Sequence, residues 1–187
     1  MTTLTIYRDD TAEVMDHVDD PAAIAERLAE LGVELEHWDA DAPLAPGADQ
    51  ETVLAAYRQS VDRLNGRYGF QSIDVVALTP DHPERAELRG KFLSEHTHDD
   101  FEVRFFVDGS GLFYLHVGDK VHAVHCEAGD LISVPAGTTH WFDMGEHPAF
   151  TCIRFFTTPD GWVGHFTGSE IAGRLPDFDA HLAGLRA

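Results

Sequence analysis

No stretch of this chain approaches the ~20 consecutive apolar residues that a membrane-spanning helix requires. Its first residues, MTTLTIYRDD, lack the basic start and apolar core of a secretory signal. A soluble, cytoplasmic protein is therefore expected. Basic residues are scarce, with 13 Lys and Arg against 33 Asp and Glu and a net charge of −20. A surface of that sign repels nucleic acid and anionic lipid, so neither is expected as a partner. An anionic small molecule could bind only where local cations overcome the field. Cysteine is scarcer still. Cys126 and Cys152 cannot build a disulfide framework and read as reduced core thiols. Internal repeats and low-complexity segments are missing too. The 187 residues, 43% of them hydrophobic, suit one domain that buries roughly 70% of its unfolded surface. Histidine is abundant, with twelve copies.

The first ninety residues read as mixed and mostly helical. Asp20-Pro21 supplies an N-cap and a first-turn proline, followed by Ile24, Leu28 and Leu31 at helical spacing and Gly32 as a stop. A second helix is predicted over 50–64 from Val53, Leu54, Tyr57, Val61 and Leu64, with Gly66 beyond its end. Ser72 to Leu78 reads as a strand and Pro83 to about Arg89 as a short helix. From about Lys91 the apolar period shortens to two. FEVRFFV, GLFYLHV, KVHAVH, DLISV, HWFDM and AFTCIRFF follow one another, punctuated by Gly-rich turns, which is the spacing of a β-sandwich or small barrel. The expected organisation is one domain over 1–187. It comprises a helical N-terminal portion (1–90), a barrel core (91–157) and a tail (158–187) that wraps the barrel.

The chemistry concentrates in His96-Thr97-His98-Asp99-Asp100-Phe101-Glu102-Val103-Arg104. Residues two apart on a strand share a face, so His96 and His98 can aim at one point. After a turn at Asp99-Asp100, Glu102, Arg104 and Phe106 fall on one face, with Phe101, Val103, Phe105 and Val107 on the other. If Glu102 points inward, so does Arg104, and an arginine inside a small barrel is costly unless an anion meets it. A fourth candidate, His140, follows the turn Pro135-Ala-Gly137-Thr-Thr. Three imidazoles and one carboxylate suit a first-row divalent ion. In an octahedral shell they would leave two positions open, whereas structural zinc sites usually close with four ligands that often include cysteine.

The spacings match the two cupin motifs. Gly90, His96-X-His98, Glu102 and Gly109 make the first, and Gly129, Pro135-X-Gly137 and His140 the second. Met144 departs from the asparagine that often stands nearby in the second motif. That difference concerns the pocket wall and leaves the ligand set intact. The longer stretches HTHDDFEVRFFVDGSGLF and VPAGTTHWFDMG resemble the acireductone dioxygenases of methionine salvage, most strongly over residues 90–165. The resemblance implies a mainly β double-stranded β-helix, or jelly-roll cupin barrel, holding one Fe(II) or Ni(II). The implied ligands are His96, His98, Glu102 and His140, with Arg104 stabilising a substrate dianion. The implied reaction joins a small-molecule acireductone with O2. It yields formate and 4-methylthio-2-oxobutanoate with iron, or formate, carbon monoxide and 3-methylthiopropanoate with nickel.

Glu95 and Phe101 match family positions tied to metal loading and conformational relay. Arg154 shares strand parity with Cys152 and Phe156 and is a candidate second cation facing substrate. Phe92, Phe142 and Trp162 are candidate walls for the thioether tail. His116, His122, His125, His147 and His165 are weaker candidates as partners of the ligands, and His17, His37, His82 and His181 read as surface residues. A monomer is expected. Two other readings stand beside the dioxygenase: a different cupin metalloenzyme using the same shell, and a non-catalytic cupin that binds a small ligand.

Overall fold

The computed structural model describes residues 1–45 and 47–184. One long strand organises it, β6 (Glu102–Val117). Its first half pairs with β8 (Asp130–Val134) and β10 (Phe150–Phe156), and its second half with β7 (Lys120–Glu127) and β9 (Thr139–Asp143). The two halves thus belong to two facing antiparallel sheets. Beyond β7 the first sheet continues through β1 (Thr3–Arg8) to β2 (Val14–Val18). Beyond β9 it continues through β5 (His96–Thr97) to β11 (His165–Phe166). The second sheet adds β3 (Glu34–His37) next to β8 and β4 (Ser72–Leu78) next to β10. This is a jelly-roll barrel, as the resemblance implies and within the sandwich or small barrel that the period-two runs predict.

Where β6 passes between sheets its alternation shifts phase. Phe106 packs in the barrel interior with Ile132, Val134, Phe142 and Cys152, and so do Phe113 and Leu115, which have the opposite parity. The register slips between Thr151 and Cys152 opposite this point. Gly109 takes φ +69°, and a Cβ there would lie 1.8 Å from the Ala149 carbonyl oxygen. Only glycine meets both demands. Val103, Phe105 and Val107 face the other way, toward Val53, Tyr57 and Leu64.

Those three residues belong to helices that cover the second sheet, α2 (Gln50–Ala56) and α3 (Arg58–Tyr68). The expected single helix over 50–64 is broken at Tyr57, whose buried ring meets the Phe105 ring edge-on at 5.6 Å. Gly66 lies within α3, and the left-handed stop is Gly69 at φ +69°. The Asp20-Pro21 start is as expected. Asp20 accepts from the Ala23 N–H at 2.9 Å, and α1 (Pro21–Ala29) buries Ile24 and Leu28. α4 (Arg85–Leu93) runs four residues past the expected end. Buried Phe92 and the fork of Arg89 on the Asp143 carboxylate (2.7 and 3.0 Å) hold its last turn to β9. The first ninety residues also contain β1, β2 and β3, which the mostly helical reading missed. These strands are short or irregularly patterned, and they exist because β7 and β8 offer them edges.

The tail lies across the outer face of the first sheet, where Ile171 and Leu175 pack on Tyr7, Tyr114 and Trp141. The Tyr114 hydroxyl donates to the Pro176 carbonyl at 2.5 Å, and the Phe178 N–H to Asp143 at 2.8 Å. His181, in α5 (Phe178–Gly184), is 3% exposed, which corrects its reading as a surface residue. His122 and His125 are buried as well. Cys126 and Cys152 are buried free thiols, as expected. Among the described residues no helix is long and apolar enough to cross a membrane.

Gly109→Ala should cost about 3 kcal/mol or more, from left-handed strain plus overpacking, read as a drop in urea midpoint. A second expectation concerns acid. His181 lies with Nδ1 2.9 Å from the Tyr7 hydroxyl and no partner at Nε2. Burial, with His125 and His17 nearby, lowers its pKa from 6.5 to about 4. Burial also lowers His122 and His125. Between about 6.5 and 4 the unfolded chain takes up the His181 proton and the folded chain does not, so stability falls as pH drops through that window. Thermal midpoints at pH 7.5 and pH 5 should show the loss, and His181→Phe should shrink the difference.

Candidate metal centre

His96 on β5 lies directly opposite His140 on β9 in the antiparallel register, so tertiary pairing brings together imidazoles 44 positions apart. His98 follows β5, and Glu102 opens β6. The three ring centroids stand 4.6–5.0 Å from one another. One ligand atom from each of His96, His98, Glu102 and His140 lies within 4.8 Å of every other, and all four residues are buried.

The imidazoles are oriented by the backbone. Nδ1 of His96 donates to the Ser94 carbonyl at 2.6 Å, Nδ1 of His140 to Thr138 at 2.8 Å, and Nδ1 of His98 to Val163 at 2.5 Å. A carbonyl only accepts, so each Nδ1 carries the proton and each Nε2 is left with its lone pair. The three Nε2 atoms are shut off from solvent and lack a well-formed hydrogen bond. His98 Nε2 stands 2.6 Å from Glu102 Oε2 and His140 Nε2 3.5 Å from it, so lone pairs and carboxylate converge on one point that a cation between them would relieve.

Burial alone would raise the Glu102 carboxyl. With the Arg104 guanidinium foremost against burial, the carboxyl is held well below the usual carboxylate range. Burial, reinforced by His140, pushes His96 down to about 4, so it is neutral at pH 7. An ionised carboxylate facing three lone-pair-bearing nitrogens is the donor set of a first-row divalent ion. Such an ion would satisfy polar atoms whose isolation is otherwise costly. The residues fit the group.

Arg104 is 2% exposed and pairs with Glu102 Oε1. Its guanidinium carbon sits 4.6 Å from the Phe142 ring and 4.9 Å from that of Phe113. Phe92, Phe142 and Trp162 cluster beside the donors, with the Trp162 ring 5.4 Å from His96 and 5.3 Å from His98. A cavity of about 170 Å³ opens next to His98, lined also by Phe101, Phe156, Gly161 and Val163.

Three other expected residues have partners of their own outside the donor set. Arg154 faces inward opposite Arg104, but its fork is taken by Asp74, with both bonds at 2.7 Å. Glu95 is buried with its carboxylate engaged by His116 Nδ1 at 2.8 Å and the Thr167 hydroxyl at 2.7 Å, not by the cluster. Phe101 is 39% exposed and leans on Tyr68. Asp74, Asp143 and the three carbonyls that orient the histidines were missed from sequence. An acidic residue in a strand carries no local sign of its cross-strand partner, and a backbone carbonyl carries no side-chain sign at all.

A buried three-histidine, one-carboxylate centre inside an antiparallel jelly roll defines a metal-binding cupin. The model of the ARD/ARD' family matches residues 3–164, and the chain belongs to that family. The acireductone dioxygenase of Aquifex aeolicus is 54% identical over 184 residues, 98% of this chain and 100% of that one. That of Stenotrophomonas maltophilia is 59% identical over 180 residues, 95% and 97% of the two chains. Among solved structures, the acireductone dioxygenase from Bacillus anthracis with a cadmium ion in its active center matches with a TM-score of 0.75 at 30% identity. The match covers 87% of this chain and 97% of that one.

Adding Ni(II) should raise the thermal midpoint of the wild-type chain, because binding to the folded state alone stabilises it. His96→Ala and His140→Ala should lose most of that rise and most of the metal retained after desalting. Full metal occupancy in either variant would contradict the geometry.

Proposed function

We propose that this chain is an acireductone dioxygenase that cleaves 1,2-dihydroxy-3-keto-5-methylthiopentene with O2, in methionine salvage. What carries the reading is the convergence of His96, His98, Glu102 and His140, with Arg104 buried against them. It is supported by relatives of that name over nearly the whole chain. We take His96, His98, Glu102 and His140 as ligands of one Fe(II) or Ni(II). Bound there, such an ion would supply Lewis acidity toward the oxygens of the substrate.

The protein's own part is electrostatic and steric. Arg104 is a fixed cation in a low-dielectric interior, so it favours the enediol as its dianion and holds that anion in place. It also offsets the Glu102 charge, which would otherwise repel the incoming anion. Phe92, Phe142 and Trp162 keep water from the electron-rich substrate and give its apolar thioether tail a surface to lie on. Arg154, clamped by Asp74, acts at longer range. For Glu95 and Phe101 we propose roles at one remove, in metal loading and in relaying movement beside His98.

With iron the expected products are formate and 4-methylthio-2-oxobutanoate, and with nickel formate, carbon monoxide and 3-methylthiopropanoate. Raw affinity of the donor set favours nickel, so metal supply in the cell selects the occupant. All four donors come from one chain, in keeping with a monomer. The two buried thiols suit the reducing cytoplasm. We read residues 1–187 as a single domain, since strands on both sides of residue 90 pair with one another.

The test is the loss of ultraviolet absorbance of chemically made acireductone in air. Iron- or nickel-loaded protein should accelerate it far beyond the spontaneous rate, and no acceleration with either metal would end this reading. Arg104→Ala should keep its metal and lose turnover by about a hundredfold or more, as removal of one buried charge-stabilising donor does elsewhere. Wild-type rates would remove Arg104 from the mechanism.

A further inference from the structure

Gly161–Gly164 forms a short strap across the metal centre. Val163 supplies the carbonyl that accepts from His98 Nδ1 at 2.5 Å, and Gly161 and Val163 line the cavity beside His98. Between them the Trp162 ring lies against His96, His98 and, at 5.7 Å, Phe92. From outside, Lys91 Nζ sits 4.8 Å from the same ring.

Two observations give this side chain more than a wall's role. Its indole N–H is sealed from solvent and has no hydrogen-bond partner. Indole offers one donor and no acceptor, and a buried donor left unmatched is costly. Second, a Cβ on Gly164 would come within 2.8 Å of Trp162 Cη2, 3.2 Å of Cζ2 and 3.4 Å of Cζ3. Gly164 does not adopt a left-handed φ. The missing side chain at 164 is therefore required by the ring beside it, not by the backbone.

We infer that Trp162 is a positioning residue whose indole N–H donates to an oxygen of the ligand held at the His96–His98–Glu102–His140 centre, and that Gly164 sets the ring for it. The ligand class is a small, oxygen-rich chelating anion. The inference rests on the functional reading above for the substrate's name, but not for the contact. Arg104 and Trp162 then address the ligand with different chemistry, a charge and a directional donor. In this geometry an analogue lacking the hydrogen-bonding oxygen leaves the indole unmatched and is rejected.

The test uses metal-loaded protein. Trp162→Phe keeps an aromatic ring and removes the N–H. It should retain metal at the wild-type ratio, lose about tenfold to a hundredfold in kcat/KM for acireductone, and bind the bidentate probe acetohydroxamate about tenfold more weakly by titration calorimetry of the nickel form. Gly164→Ala should show a similar loss by moving the ring. In a Trp162→Phe background the same alanine should cost little, since the atoms it collides with are gone. Wild-type kcat/KM and probe affinity in Trp162→Phe would overturn the inference. So would loss of metal from that variant, or an alanine penalty at 164 that persists undiminished in the Trp162→Phe background. If wild-type protein fails to turn over acireductone, the functional reading falls, and the acetohydroxamate affinities still decide the role of Trp162.

Discussion

A carboxylate enclosed by protein and facing three imidazoles is the constraint around which this molecule is arranged. Glu102 is 2% exposed, and an unpaired carboxylate at that depth would take up a proton. Arg104, two residues along the same strand, keeps it ionised. The arginine in turn is tolerable only because Glu102 and the faces of Phe142 and Phe113 receive it. Neither charge is tolerated without the other, and together they create a polar interior without opening the barrel to water. The four-donor set gains its anionic member from this pairing.

The surrounding structure keeps that pair in place with backbone more than with side chains. β6 delivers Glu102 and Arg104 to the interior in its first half, then changes phase at Gly109 so that Phe113 and Leu115 also point inward. Without the shift, the second half would turn Leu112 and Tyr114 inward and lose the packing against the tail. The imidazoles are aimed by backbone too. His96 and His140 both donate to the carbonyl two residues upstream, so one local turn geometry serves on two strands. His98 uses the distant Val163 carbonyl instead. One of the four donors is thereby tied to the segment that carries Trp162.

Net charge adds a reason for the site's isolation. A chain with 33 acidic and 13 basic residues opposes the approach of an anion. The cations within reach of the centre are few and individually placed. Arg104 is enclosed, Arg154 is bound by Asp74, and Lys91 sits over Trp162. An anion inside the barrel would therefore meet its cation at short range, where screening is weak, and not through long-range attraction.

As a string of residues, the chain already determined which side chains could act as donors, that His96 and His98 share a face, and that Glu102 and Arg104 must enter the interior together. These follow from a two-residue period that is local and covalent. The Ser72–Leu78 strand and the capped helix after Asp20 were legible for the same reason. Only the tertiary structure decided that His140 stands opposite His96, that β6 shifts phase at Gly109, that Asp74 occupies Arg154, and that Gly164 makes room for Trp162. It also drew the segments 3–8, 14–18 and 34–37 into sheets. Cross-strand register and close packing are set by partners far along the chain, and no window of neighbouring residues contains them.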